Sequence, residues 1–440
     1  MQAIYWFRRD RRVSDNEALH FASEHELLPV FIHSGFENQS ANRQHSLLAS
    51  LQSLDGLLQQ KLNVTSGDAS EEILQLAIKH GIDLVIATRA YDTEGMIEQA
   101  NVAEALHKNS ITLKLVGSYY AITPGEVNKP DGTPYKVYTP FWRAWSDKEI
   151  PKPFPTPQLR LIEPVIRDFP KVRDEASIKI KAGEEYALQT LSRFKKIVEN
   201  YPEDRDQMAV SGTSKLSHAL AHGEIHPRTV IAAIGFENEV FIKEICWREF
   251  YADVMFRNPH TLDEYFDTRF ENMQYDTGQQ ADERFEAWKS GKTGYPVVDA
   301  AMRQLRETGW MHNRARMITA SFLIKDLHLE WQQGASWFES QLTDFDPASN
   351  SHGWQWTAGC GTDASPYFRV FNPILQGKKF DPEGEYIKRY VPELAHLDKK
   401  SIHEPWDAID GYQHNYPERI VDHATERQET LARFQALKNN

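Results

Sequence analysis

The sequence predicts a parallel α/β domain over residues 1–125 and an all-α domain over residues 186–440. Two observations carry this. Short runs rich in β-branched and aromatic residues alternate with helical patterns in the first stretch, which implies a parallel sheet covered on both faces. From residue 186 onward the spacing of apolar residues is helical, with almost no strand signal.

In order, AIYWF (3–7), LLPVFIH (27–33), DLVIATR (83–89) and ITLKLVG (111–117) read as strands. Between them, HSLLASLQSLDGLLQQKL (45–62) and EEILQLAIKHG (71–81) read as helices, the second closed by Gly81. Residues 126–185 read as an extended linker, because Pro151, Pro153, Pro155, Pro157, Pro164 and Pro170 interrupt helix formation.

With 440 residues, 40% apolar and 26% charged, the chain has the composition of a soluble globular protein. No apolar run reaches the ~18 residues of a membrane helix, and the first residues resemble a strand rather than a secretory signal. The two cysteines, Cys246 and Cys360, support neither a disulfide framework nor a four-cysteine cluster, and a reducing cytoplasm is expected. A net charge of −13 argues against a general polyanion binder. It leaves room for a local basic site, since Arg303, Arg306, Arg314, Arg316 and Lys325 crowd one segment; a solvated helix face is the competing explanation.

Several chemistries are excluded. GKTGYP at Gly291 lacks the earlier glycine of a phosphate-binding loop, Glu286 standing there, and reads instead as a turn opening the helix VVDAAMRQLRE. G-x-G-x-x-G, H-E-x-x-H, G-x-S-x-G and cysteine–histidine metal spacings are absent, so no metal site is expected.

Four segments of the helical half remain. In GWMHNRARMITASFLIKD (309–326), Asn313, Arg316 and Met317 share one helix face, a mixture suited to a pocket wall. In EICWREFY (244–251), Glu244, Trp247, Arg248 and Tyr251 share a face that can stack on a base and bond its edge, or can be an amphipathic helix with a Glu244–Arg248 pair. SGTSKLS (211–217) offers hydroxyls and amides ahead of a helix, for a phosphate or as a plain N-cap. The stretch 342–373 reads as a polar, aromatic loop carrying Asp344, Asp346, Asn350, Trp354 and Trp356, which can bind a ribityl chain or ring N–H groups, or can cap helices. Seven of the 11 tryptophans fall between Trp247 and Trp356, more than a helical core requires, so an aromatic-lined cofactor or base-stacking site competes with core packing.

From WFRRDRRVSDN near the start to YFRVFNP and beyond, these motifs resemble the photolyase/cryptochrome family. Asn313 with Met317 is similar to the pattern of class I/III-type cyclobutane pyrimidine dimer photolyases. The resemblance implies a Rossmann-like N-terminal domain, a helical domain binding FAD, and light-driven repair of UV-damaged DNA by a carbon–carbon lyase acting as a monomer. By position, it implies that Tyr201, Thr213, Ser214, Lys215, Leu216 and Ser217 contact the flavin phosphates and adenosine. Arg248, Arg316, Asp344 and Asp346 would hold the isoalloxazine and ribityl groups, and Asn350 would face flavin N5. Glu244, Trp247, Asn313, Met317 and Trp356 would line the lesion pocket, with Arg314 and Arg369 on backbone phosphates. Trp354, Trp331 and Tyr275 would carry electrons to the flavin.

The chain departs from the family pattern at Arg11, where leucine is usual, and at His218, where proline follows the serine. The antenna pattern's asparagine–glutamate pair is replaced by Thr93-Glu94, and its upstream histidine aligns near Asn38. A second chromophore in the N-terminal domain is implied, with its identity left open. The alternative is a blue-light-sensing cryptochrome without repair activity. Met317, and a chain ending at Asn440 without a long tail, favour repair.

Overall fold

The computed structural model describes residues 1–172, 180–364, 366 and 369–439. The chain forms two compact units: Met1–Glu199 with Ser214–Pro259 and Thr343–Ala348, and Asn200–Thr213 with His260–Leu342 and Ser349–Asn440.

In the first unit, strands β1 (Gln2–Phe7), β2 (Glu26–His33), β3 (Asn63–Ser66), β4 (Leu84–Thr88) and β5 (Thr112–Val116) make a parallel sheet in the order β3-β2-β1-β4-β5. Successive side chains of β1 point to opposite faces. Ala3, Tyr5 and Phe7 join one buried cluster, Ile4 and Trp6 the other, which is why the run is continuously apolar. The register sets Ile4 against both Leu28 and Val85.

Gly81 ends the helix Ala69–His80 at φ 63°, the left-handed conformation its sequence position predicts. The preceding helix, Ala41–Leu57, starts earlier and stops earlier than predicted. Its tail turns at Gln59 and Gln60, both with positive φ, while the Asp55 carboxylate accepts the Leu62 N–H at 3.1 Å. Strand β3 was not visible as an apolar run. Its buried Asn63 amide instead donates to the Pro29 carbonyl and accepts from Val165 and Ile166.

Residues 126–185 are not extended throughout. They contain the helix Tyr138–Ser146, which buries Tyr138, Phe141 and Trp145 and places Pro140 in its first turn, where a missing N–H costs nothing. They also contain β6 (Arg160–Leu161), paired with β2. The helices Glu17–Ala22, Thr93–His107, Glu184–Phe194, Ser217–His222, Pro227–Ile234 and Glu239–Arg257 also belong to this unit.

The second unit is helical. Its main helices are Gln279–Ser290, Pro296–Thr308, Asn313–Lys325, Trp331–Gln341 and His423–Asn439. Trp288, Trp331, Phe338 and Trp354 form part of its core. The reading of 342–373 as a loop is corrected here: residues Pro347–Ala358 form a helix. A proline at the first helical position starts it, and buried Ser351, His352 and Gln355 find partners inside the protein, so polarity does not mean exposure. Tyr367 and Phe368 of the YFRVFNP motif lie outside the described residues. Among the described residues no helix is long and apolar enough to cross a membrane.

Candidate functional site

Helix Asn313–Lys325 begins at His312, whose ring accepts the Arg314 N–H at 3.1 Å as the N-cap. Ile318, Phe322, Leu323 and Ile324 are buried. Asn313 is exposed at the first turn, and Arg316 and Met317 are half-buried on the same face, as the sequence predicts. Arg316 Nε donates to the Met311 carbonyl at 2.9 Å, which holds the guanidinium against its own helix start. Arg314 forks onto Asp206 at 2.9 Å and lies 4.4 Å over the Phe380 ring. Arg369 is exposed, and its backbone carbonyl accepts from buried Lys325 at 2.9 Å. Tyr201 is buried.

In the first unit, Glu244, Trp247 and Arg248 lie half-buried along helix Glu239–Arg257. Trp247 stacks on Tyr138, with ring centroids 3.6 Å apart. Arg248 lies 4.5 Å over the Tyr120 ring and 3.9 Å from Asp346, and its buried Nε has no hydrogen-bond partner. Asp346 also pairs with Arg9 at 2.5 Å. Burial opposes Arg9's charge, but Asp346 and Asp92 more than offset it and raise its pKa. Asp344 is buried two residues away. The Ser214–Ser217 segment enters helix Ser217–His222 with Lys215 at φ 56° and no side-chain cap on the first turn.

On helix Pro347–Ala358, Asn350 and Trp354 are one turn apart and Trp356 is rotated away, half-buried. The Asn350 amide donates to the Ala335 carbonyl at 3.1 Å. Trp354 rests on Gly334, where an added Cβ would meet the indole at 2.2 Å, so only glycine permits this approach. Gly334 and buried Trp331 share helix Trp331–Gln341. Trp331 meets Tyr265 edge-on at 6.2 Å, and the Tyr265 hydroxyl donates to the Glu330 carboxylate at 2.7 Å, with Tyr275 close enough to act on it electrostatically. Trp354 rests on the helix that carries Trp331, and Trp331 meets Tyr265, near Tyr275.

Residues 3–158 match the family described as DNA photolyase, and residues 241–436 match the FAD binding domain of DNA photolyase. The chain belongs to the photolyase/cryptochrome family. A deoxyribodipyrimidine photo-lyase from Agrobacterium fabrum is 38% identical, over 99% of this chain and 98% of the relative. A bacterial class III photolyase structure from Agrobacterium tumefaciens superposes with a TM-score of 0.93 at 38% identity, over 100% of this chain and 98% of that one. A Synechocystis cryptochrome superposes at 0.89 with 28% identity, over 98% of each chain. Family membership accounts for the parallel-sheet α/β domain, the helical region and an FAD-binding domain.

The residues present suit FAD. Within the first unit, the unpartnered Nε of Arg248 is a buried donor, and Ser214 and Ser217 bring hydroxyls to the turn into helix Ser217–His222. The phosphate-loop lookalike at Gly291 is satisfied internally: the Asp299 carboxylate accepts from the N–H groups of Thr293 at 2.7 Å and Gly294 at 3.0 Å.

A separate cavity of about 310 Å³ opens at the carboxyl ends of β2 and β3, lined by Ser34, Gly67, Asp68, Ala69, Ser70, Glu98 and Asn101. Asn38, Thr93 and Glu94 do not line it; Thr93 bonds the Pro259 carbonyl at 3.3 Å and Glu94 is exposed.

Sequence reasoning missed Arg9, Tyr138, Tyr265 and Asp206. Each acts through a partner far away in the chain, and even Arg9, inside the WFRRDRRVSDN motif, gives no local sign of its pairing with Asp346.

Proposed function

We propose that this protein repairs cyclobutane pyrimidine dimers in UV-damaged DNA under blue or near-UV light, using FAD. The observation that carries this reading is the first turn of helix Asn313–Lys325, where an exposed amide stands beside half-buried Met317. FAD, when bound and reduced, would supply light-driven one-electron chemistry, lending an electron to the dimer and recovering it once the ring has opened, so that the repair is redox-neutral.

The protein's share is position and polarity. Trp247 and Trp356 give flat apolar walls to flipped bases, and a distorted dimer leaves the helix stack at lower cost than a normal pair. Glu244 and Asn313 bond the polar edges, and a proton held at Glu244 offsets charge developing on a base carbonyl. Arg314 and Arg369 anchor backbone phosphates, giving salt dependence without sequence choice. Tyr201, Thr213, Ser214, Lys215, Leu216, Ser217, Arg248, Arg316, Asp344, Asp346 and Asn350 hold the cofactor. Trp354, Trp331 and Tyr275 carry electrons inward.

In functional terms, residues 1–125 form an antenna-type domain, 126–185 a connecting region and 186–440 the catalytic region. The cavity at the carboxyl ends of β2 and β3 is the place for a second chromophore, since ligands of parallel sheets bind at that edge. The protein works as a monomer in the cytoplasm.

Blue-light repair of UV-irradiated oligothymidylate by chemically reduced protein tests the reading. Dimer loss in light and none in darkness is expected. Persistent dimers in light, with a flavin that still photoreduces, would favour the cryptochrome alternative.

A further inference from the structure

Arg11 and His218, two departures from the family's pattern, meet in one cluster of the first unit, in which Arg11 and Glu224 are buried and the histidines half-buried. His218 Nε2 lies 3.3 Å from the Glu224 carboxylate, and His218 Nδ1 lies 2.8 Å from the Thr343 carbonyl. His222 Nε2 reaches the same carbonyl at 2.7 Å, the two rings meeting at 4.6 Å. Arg11 lies close enough to act electrostatically on Glu224, and its Nη1 donates to Ser50 at 3.5 Å.

Both nitrogens of His218 therefore face acceptors. Ser46 Oγ also lies 3.3–3.4 Å from the ring. A neutral imidazole has one N–H, which the Glu224 carboxylate attracts more strongly than the Thr343 carbonyl does; only the imidazolium donates to that carbonyl while also meeting Glu224 as an ion pair. His222 needs a single proton at Nε2 and stays neutral, because burial and the Arg11 charge push its pKa down. Together the rings occupy both lone pairs of the Thr343 carbonyl. Thr343 begins the six-residue segment Thr343–Ala348, whose Phe345 ring lies 4.9 Å under Arg43 and whose Asp346 pairs with Arg9.

We propose that His218 and His222 are positioning residues for the cofactor: by clamping the Thr343 carbonyl they set Asp344 and Asp346, and FAD retention depends on the proton held between His218 and Glu224. This rests on the reading of Asp344 and Asp346 as flavin-holding residues. The charged groups facing the clamp are Glu224, Arg11 and Arg43. Burial disfavours the His218 cation, but Glu224 and the Thr343 carbonyl more than offset it and raise the pKa. A raised pKa means the clamp is complete at low pH and is lost as pH climbs through the folded value.

The test is FAD dissociation from the purified holoprotein, followed by the fluorescence of released flavin, from about pH 6 to 9, a span bracketing a raised histidine. The parent, His218→Gln and Glu224→Gln are compared, with far-UV circular dichroism as the check on folding. The parent should lose affinity by about tenfold across one titration step. His218→Gln should bind weakly at every pH with no step, and Glu224→Gln should move the step to lower pH. His218→Gln that binds like the parent and keeps the step overturns the clamp. Should His218→Gln fail to fold, an unmoved step in Glu224→Gln overturns it instead. A parent that retains no FAD at any pH overturns the cofactor reading itself; a parent that binds FAD while both variants match it overturns the clamp alone.

Discussion

Tyr138 and Trp247 lie face to face, their ring centroids 3.6 Å apart and their planes 7° from parallel. Tyr138 is anchored by its hydroxyl to the Lys243 carbonyl at 2.7 Å, so it fixes the plane of the indole from one side. Trp247→Ala should weaken binding of UV-damaged oligothymidylate by roughly 1–3 kcal/mol, the loss expected when a base-stacking ring is removed. Tyr138→Ala should act in the same direction by a smaller amount. Fluorescence titration measures both, and parent-like affinity in a folded Trp247→Ala protein removes that indole from the lesion pocket.

Trp354 touches Gly334 and packs edge-on against Phe338 at 5.0 Å. Trp354→Phe keeps an aromatic ring in this space but removes the more easily oxidised indole. Photoreduction of the oxidised flavin should slow strongly, while repair by dithionite-reduced protein continues. Time-resolved absorption in the presence of a thiol donor reports the first; unchanged photoreduction excludes Trp354 from the electron route.

Arg314 is held by Asp206, so a phosphate must displace that carboxylate. Asp206→Asn should raise DNA affinity severalfold and cost only about 0–1 kcal/mol of stability, since the pair is partly exposed. Arg314→Ala should reduce the slope of log affinity against log salt by about 1. Identical slopes for Arg314→Ala and the parent would remove this arginine from the phosphate contacts.

Lys325 is buried beneath the Arg369 carbonyl, and burial lowers its pKa to about 8. In the unfolded chain it titrates near ~10.4. A depressed pKa contributes stability that is present above the unfolded value and lost as pH falls through the folded one. Between about pH 8 and 10 the parent should therefore gain stability with rising pH relative to Lys325→Met, by up to roughly 3 kcal/mol. Urea unfolding across that range measures it; parallel curves would show that Lys325 does not titrate there.

Much of the fold was legible because its signals are local. The Ala3–Phe7 run, the glycine at 81 and the shared face of Asn313, Arg316 and Met317 each follow from spacing within one or two turns. Strand β3 escaped because the Asn63 side chain is satisfied by partners from other segments. Helix Pro347–Ala358 escaped because buried polar residues such as Gln355 mimic a loop when their partners, among them the Thr261 carbonyl, are out of view.

The order of residues alone is enough to place a parallel sheet before a helical half and to pick the aromatic, amide and arginine positions that mark the family, because periodicity, capping and motif spacing act over a few residues. Folding decides the rest. Arg9 reaches Asp346 across 337 positions, Trp247 is braced by Tyr138, and two histidines converge on the carbonyl of Thr343. Such pairings depend on how segments pack in space, where burial strengthens each charge and hydrogen bond, and no local pattern encodes that distance.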